Sequence, residues 1–155
     1  MHPRAAQLIG QLALVPHIEG GHFRRFHTTE APAGGRPALS AIHFLLAAGE
    51  QSAWHRVDAD EAWHFVEGDP LELLVYHAAG GRLERIRLGP LGHGGGATGP
   101  VHVVPAGAWQ AARPLGDYAL CTCMVAPAFE FPGFTLLDEP VLAERLSRLA
   151  PQIRR

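Results

Sequence analysis

"HRVDADEAWHFVEGDPLEL" (His55–Leu73) is the stretch on which the fold reading turns. It sets His55 six residues ahead of Glu61, and Glu61 seven ahead of Gly68. Read as strand, "EAWHFVE" puts Glu61, Trp63 and Phe65 on one face and His64 on the other. A histidine and a carboxylate that close on a tight turn are how a β-barrel often holds a catalytic metal, and the question is whether this stretch holds one or only its outline.

Working outward, Gly and Pro punctuate a series of short apolar runs: "GHFRRFHT", "ALSAIHFLL", "LELLVYH", "RLERIRLG", "VHVVP" and "YALCTCMVA". "LELLVYHAAGGRLERIRL" reads as a hairpin turning on "AAGG". Helical spacing occurs only near the ends, in "PRAAQLIGQLAL" and "EPVLAERLSRLAPQIRR". The pattern predicts an all-β sandwich or barrel with a short helix at each end. With 155 residues and no internal repeat or linker, one domain over 1–155 is expected. "GPLGHGGGATGP" (Gly89–Pro100) precedes a strand rather than a helix, so it reads as a mobile hairpin connection and not a phosphate loop.

Composition narrows the chemistry. All thirteen basic residues are arginine, which excludes Schiff-base and P-loop lysine chemistry. A net charge of -2 offers no general attraction to nucleic acid or to an anionic membrane. No apolar run reaches the roughly 18 residues of a membrane span, and the N-terminus shows no small-residue cleavage site. A cytoplasmic protein is expected. Cys121 and Cys123, two apart in an apolar run, read as buried reduced thiols. The ten histidines stand out; histidine suits both metal ligation and proton transfer near neutral pH.

The motif residues resemble a known family. "HRVDADEAWHFVEG" resembles the first cupin motif, G-x5-H-x-H-x3-4-E-x6-G, through His55, Glu61 and Gly68. "GPVHVVPAGAWQAARP" resembles the second, G-x5-P-x-G-x2-H-x3-N, through Gly99, Pro105 and Gly107. The blocks "LVPHIEGGHFRR", "SAWHRVDADEAWHFVEGDPLELLVY", "VPAGAWQAARP" and "VAPAFEFPGFTL" are similar to those of the cupin-5 group, also called DUF985, whose function is not established. The resemblance implies a jelly-roll β-barrel, usually assembled as a homodimer.

The departures from the motif carry the functional information. Of four metal ligands in the general pattern, His55 and Glu61 are present. The second histidine falls on Val57 and the third on Gln110, whose carbonyl oxygen is a weak ligand. Two ligands would hold at most a loose, easily chelated divalent ion, so no cofactor is expected. His43 and His102, each in a predicted strand, remain candidates to supply a missing nitrogen.

His55 and Glu61 are therefore the candidate acid and base. Trp63 would stack on a flat ligand, with His43 and Gln110 further candidates for contact. Glu19 and Arg24, in "EGGHFRR", place opposite charges at a strand start; Arg24 or Arg25 could read a carboxylate or phosphate. The leading expectation is a small-molecule-binding barrel acting as a metal-independent isomerase or epimerase on a small polar ligand, sugar-like or acidic. Sugar epimerases of similar fold run acid–base chemistry without metal. A non-catalytic ligand-binding or interaction protein is the alternative, and a metal-dependent cupin enzyme ranks third.

Overall fold

The computed structural model describes residues 1–92 and 98–154. Residues 93–97, the middle of the glycine-rich connection, lie outside the described residues. Helix α1 (Pro3–Gln11) opens the chain. Then come β1 (Val15–Pro16), β2 (His22–Thr28), β3 (Ser40–Ala47), β4 (Ser52–Val57), β5 (Asp60–Gly68) and β6 (Leu71–His77). These are followed by β7 (Arg82–Leu88), β8 (Thr98–Gly99), β9 (Val101–Val104), β10 (Trp109–Pro114), β11 (Tyr118–Ala126) and β12 (Phe134–Leu136). Helix α2 (Pro140–Leu149) closes it.

The strands form two six-stranded sheets, ordered β1-β2-β3-β11-β5-β9 and β12-β4-β10-β6-β7-β8. Pairing is antiparallel except between β7 and the short β8. Each helix starts on a proline, whose fixed φ and missing N–H suit the first turn. The Glu139 carboxylate caps α2 by accepting from the amides of Val141 and Leu142.

Alternation along the strands builds the core. Phe44, Leu46, Trp63, Leu73, Val75, Cys121 and Cys123 point between the sheets and are almost wholly buried. Both cysteines are free, and burial pushes the Cys121 thiol up to about 12, as a buried apolar thiol requires. The opposite face of β5 carries His64 and Val66, both exposed. No helix among the described residues is long and apolar enough to cross a membrane.

A cavity of about 550 Å³ is lined by both sheets. Its walls come from β2, β3, β5 and β11 on one side and from β4 and β12 on the other. Segment 127–136 closes a flank with Phe129, Phe131 and Phe134. That segment is tied down by Arg36, whose Nε donates to Ala128 O at 2.7 Å. Its two terminal nitrogens grip the Asp58 carboxylate at 2.8 and 3.1 Å.

Candidate functional site

The polar end of the cavity begins in the turn between β1 and β2. At Gly20, φ is +111°, and a Cβ there would lie 2.0 Å from Gln51 O, so only glycine lets the turn meet the start of β4. The Ala53 amide donates to Glu19 O at 2.7 Å, stitching the two segments together. The Glu19 side chain is thereby pressed into the cavity, where Ser52 Oγ donates to its Oε1 at 2.9 Å.

His55, in the middle of β4, is 2% exposed. Its Nδ1 lies 2.7 Å from Ala53 O, and a carbonyl only accepts, so Nδ1 carries the hydrogen. Nε2 then faces Glu19 Oε2 at 3.2 Å. A neutral ring in this tautomer has only a lone pair on Nε2. The contact therefore shares one proton, held either by the carboxyl or by the imidazole. Burial lowers the His55 pKa, with Glu61 raising it in part. Burial pushes the Glu19 carboxyl up to about 7, against the pull of His17 and the Ser52 hydroxyl.

Glu61 enters from β5, also buried, and burial raises its carboxyl to about 7 while His55 draws it down. Trp63, on the same face two residues on, donates its indole N–H to Gln110 Oε1 at 2.7 Å. The Gln110 and Trp63 side chains also draw the Glu61 carboxyl down, less than burial raises it. Gln110 pairs with His55 across β4 and β10 and is almost fully buried, so it acts from behind the wall.

Glu19, His55, Glu61 and Trp63 thus line one cavity, as neighbours brought together from two strands and a turn. His43 and Arg24 do not join them. They pair with each other on β3 and β2, between the cavity-lining pairs Phe44–Phe23 and Ile42–Arg25, and so face the other way. His43 stacks on Phe26 at 4.3 Å and its Nδ1 has no hydrogen-bond partner. His102 pairs with Trp63 on β9 and does not line the cavity. Arg25, not Arg24, is the cavity's arginine; its terminal nitrogen donates to Phe129 O at 3.3 Å. Among the described residues it is in no ion pair.

Four further lining residues escape a reading of the sequence: His17, one histidine among ten, and Phe129, Phe131 and Phe134 of segment 127–136. The signal for His17 was its place two residues before Glu19, ahead of a double glycine. Its meaning depends on a turn that sequence alone does not draw.

The general cupin pattern carries four metal ligands, of which His55 and Glu61 are present here. Val57 lines the wall where a ligand would stand, and both Glu19 oxygens are already engaged by Ser52 and His55. Among the described residues, no group of three or more His, Cys, Asp or Glu side chains is arranged to hold a metal ion. The residues present do not fit a metal centre of the general pattern.

Comparison with known proteins agrees with this architecture. The model of the Cupin_5 family, described as "Cupin superfamily (DUF985)", matches residues 6–137. The crystal structure of protein SO0799 from Shewanella oneidensis is 33% identical, with a TM-score of 0.87 and 97% of each chain covered. A hypothetical protein from Leishmania major is 27% identical, with a TM-score of 0.72, covering 96% of this chain and 93% of that one. Oxalate decarboxylase from Bacillus subtilis shares the fold at 14% identity and a TM-score of 0.62, over 90% of this chain and 36% of that one. None of the curated proteins compared with the chain matches it.

Proposed function

This chain belongs to the Cupin_5 (DUF985) family of the cupin superfamily, and from that membership we propose that its cavity binds a small molecule and moves a proton on it. The two sheets are read as the halves of a jelly-roll barrel, and the reaction as a metal-independent isomerisation or epimerisation. One observation carries the reading: two buried carboxyls, Glu19 and Glu61, and a buried imidazole, His55, face a single cavity wide enough for a small ligand. Both carboxyls are held up to about 7, where a group can give and take a proton at neutral pH.

Glu61 is the acid–base group in this scheme. Glu19 is committed on both oxygens, so the Glu19–His55 pair tunes and orients while Glu61 reacts. The walls are largely aromatic, with Phe23, Phe44, Trp63, Phe129 and Phe134 in reach. That favours an acidic ligand with an apolar body over a sugar-like one, its anionic group directed to Arg25.

The committed hydrogen bonds of the polar groups favour the second reading, a non-catalytic binding protein in which they only position the ligand. Deuterium uptake separates the two. Small acids, sugars and ketones are incubated with the protein in D2O with a chelator present. Uptake that is lost in Glu61→Gln supports proton transfer. Saturable binding without uptake moves the protein to the non-catalytic class, and uptake abolished by the chelator moves it to the metal-dependent class.

We also propose a homodimer, as membership of the family implies. The outer face of the β5–β9 pair offers a surface for it, with Val66, Val101 and Val103 about half exposed in one patch.

A further inference from the structure

His17 is held in one tautomer by the backbone. The Glu19 amide donates to His17 Nδ1 at 3.1 Å, so Nδ1 must present a lone pair. A proton there would set donor against donor. The hydrogen of the neutral ring therefore sits on Nε2. The ring is clamped edge-on between Phe23, at 4.5 Å and 84°, and Phe44, at 6.0 Å and 89°, which fixes its direction. Burial favours the neutral form.

The cavity's other ring N–H groups are committed: Trp63 Nε1 to Gln110, and His55 Nδ1 to Ala53. His17 Nε2 has no hydrogen-bond partner among the described residues, although the residue lines the cavity. A neutral, oriented N–H in an apolar pocket is complementary to an oxygen that gains negative charge during reaction.

We infer that His17 is a catalytic residue whose Nε2–H receives the carbonyl oxygen of the substrate, and that the substrate class is a small enolisable carbonyl compound with an apolar body. The inference rests on the acid–base reading of the same cavity. In the step it assigns, a C–H bond next to the carbonyl breaks. The proton goes to a Glu61 carboxylate oxygen, and the electron pair becomes a C=C bond. The carbonyl π pair moves onto oxygen, where the His17 N–H bonds the enolate. Return of the proton from Glu61 to another carbon isomerises the substrate; epimerisation instead takes a proton from water on the opposite face, with Glu61 giving its proton back to solvent. No oxidant or reductant enters.

Acetophenone serves as the probe, with deuterium uptake at its methyl group followed by NMR in D2O. The wild-type protein should exchange it above the buffer rate, and His17→Phe should slow that exchange by about a hundredfold, the scale for removing one oxyanion donor. His17→Gln keeps an N–H donor and should retain an intermediate rate, which also guards against a folding defect in the Phe variant. Histidine ring nitrogen NMR should show Nε2 protonated and Nδ1 bare. Wild-type-like exchange in His17→Phe, with Glu61→Gln inactive, overturns the role of His17 and leaves the acid–base reading standing. An Nδ1-protonated ring overturns the role as well. No exchange of acetophenone by the wild-type protein overturns the carbonyl class; the acid–base reading beneath it falls only if the small acids and sugars take up no deuterium either.

Discussion

His55 Nε2 stands 3.2 Å from Glu19 Oε2, with both side chains buried and the other ring nitrogen tied to a backbone carbonyl. The contact joins a strand to a turn 36 residues earlier in the chain, so its geometry depends on two glycines as much as on the pair itself. A proton shared across it leaves Glu61 as the cavity carboxyl outside that contact.

The state of Glu61 should be visible in stability. Its folded pKa, about 7, lies above the ordinary 4.5, so the folded protein binds a proton that the unfolded chain releases. The stabilising effect is complete below pH 4.5 and is lost as pH rises through 7, by about 3 kcal/mol on full ionisation. Glu61→Gln removes that dependence. Its melting temperature should match the wild type near pH 4.5 and exceed it by several degrees at pH 8. A variant that is less stable at pH 8 would contradict the assignment.

Trp63 is 1% exposed, packs edge-on against Phe44 at 5.7 Å and lines the cavity. Trp63→Ala should cost about 3–5 kcal/mol of stability and weaken a cavity ligand by about 1–3 kcal/mol. His64→Ala, on the exposed face of the same strand, should change both by under about 0.5 kcal/mol. Chemical denaturation and ligand titration of the two variants make the comparison.

Arg36 fastens segment 127–136 over the cavity through Ala128 O and Asp58. The ion pair is partly exposed, so Arg36→Ala should lower global stability by only about 1 kcal/mol. Its local effect should be larger. Hydrogen exchange should accelerate at the amides of Phe129 and Gly133, which donate to Ser40 Oγ and to Glu130 O. Unchanged exchange at these amides would mean that the clasp holds nothing.

Elemental analysis of the untagged protein should find well under one equivalent of transition metal, because the wall holds Val57 where a ligand would stand. A stoichiometric metal lost in His55→Ala would move the protein into the metal-dependent class.

Sedimentation at micromolar concentration should show a dimer of the 16.7 kDa chain. Val103→Glu, which puts a charge in the exposed valine patch, should yield monomers without altering the cavity behind the sheet. A monomeric wild type removes the proposal.

Much of this was open to a reader of the sequence. The alternation in "EAWHFVE" is enough to put Glu61 and Trp63 on one side and His64 on the other, because strand side chains have a period of two. The two motifs pointed to the cupin superfamily, and the four successive blocks to the family. What alternation within a strand cannot supply is which face of a neighbouring strand turns inward. That is set by pairing register, and register gave the cavity to Ile42, Phe44 and Arg25 and turned His43 and Arg24 outward. Nor can local pattern show that Glu19 reaches His55, or that a backbone amide holds His17 in one tautomer. These depend on a glycine turn packed against β4 at a distance no wider than a peptide oxygen allows. Sequence determined which groups this protein owns and on which strand faces they fall. Only tertiary packing decided which of them share a cavity, because burial and proton sharing arise between segments far apart in the chain.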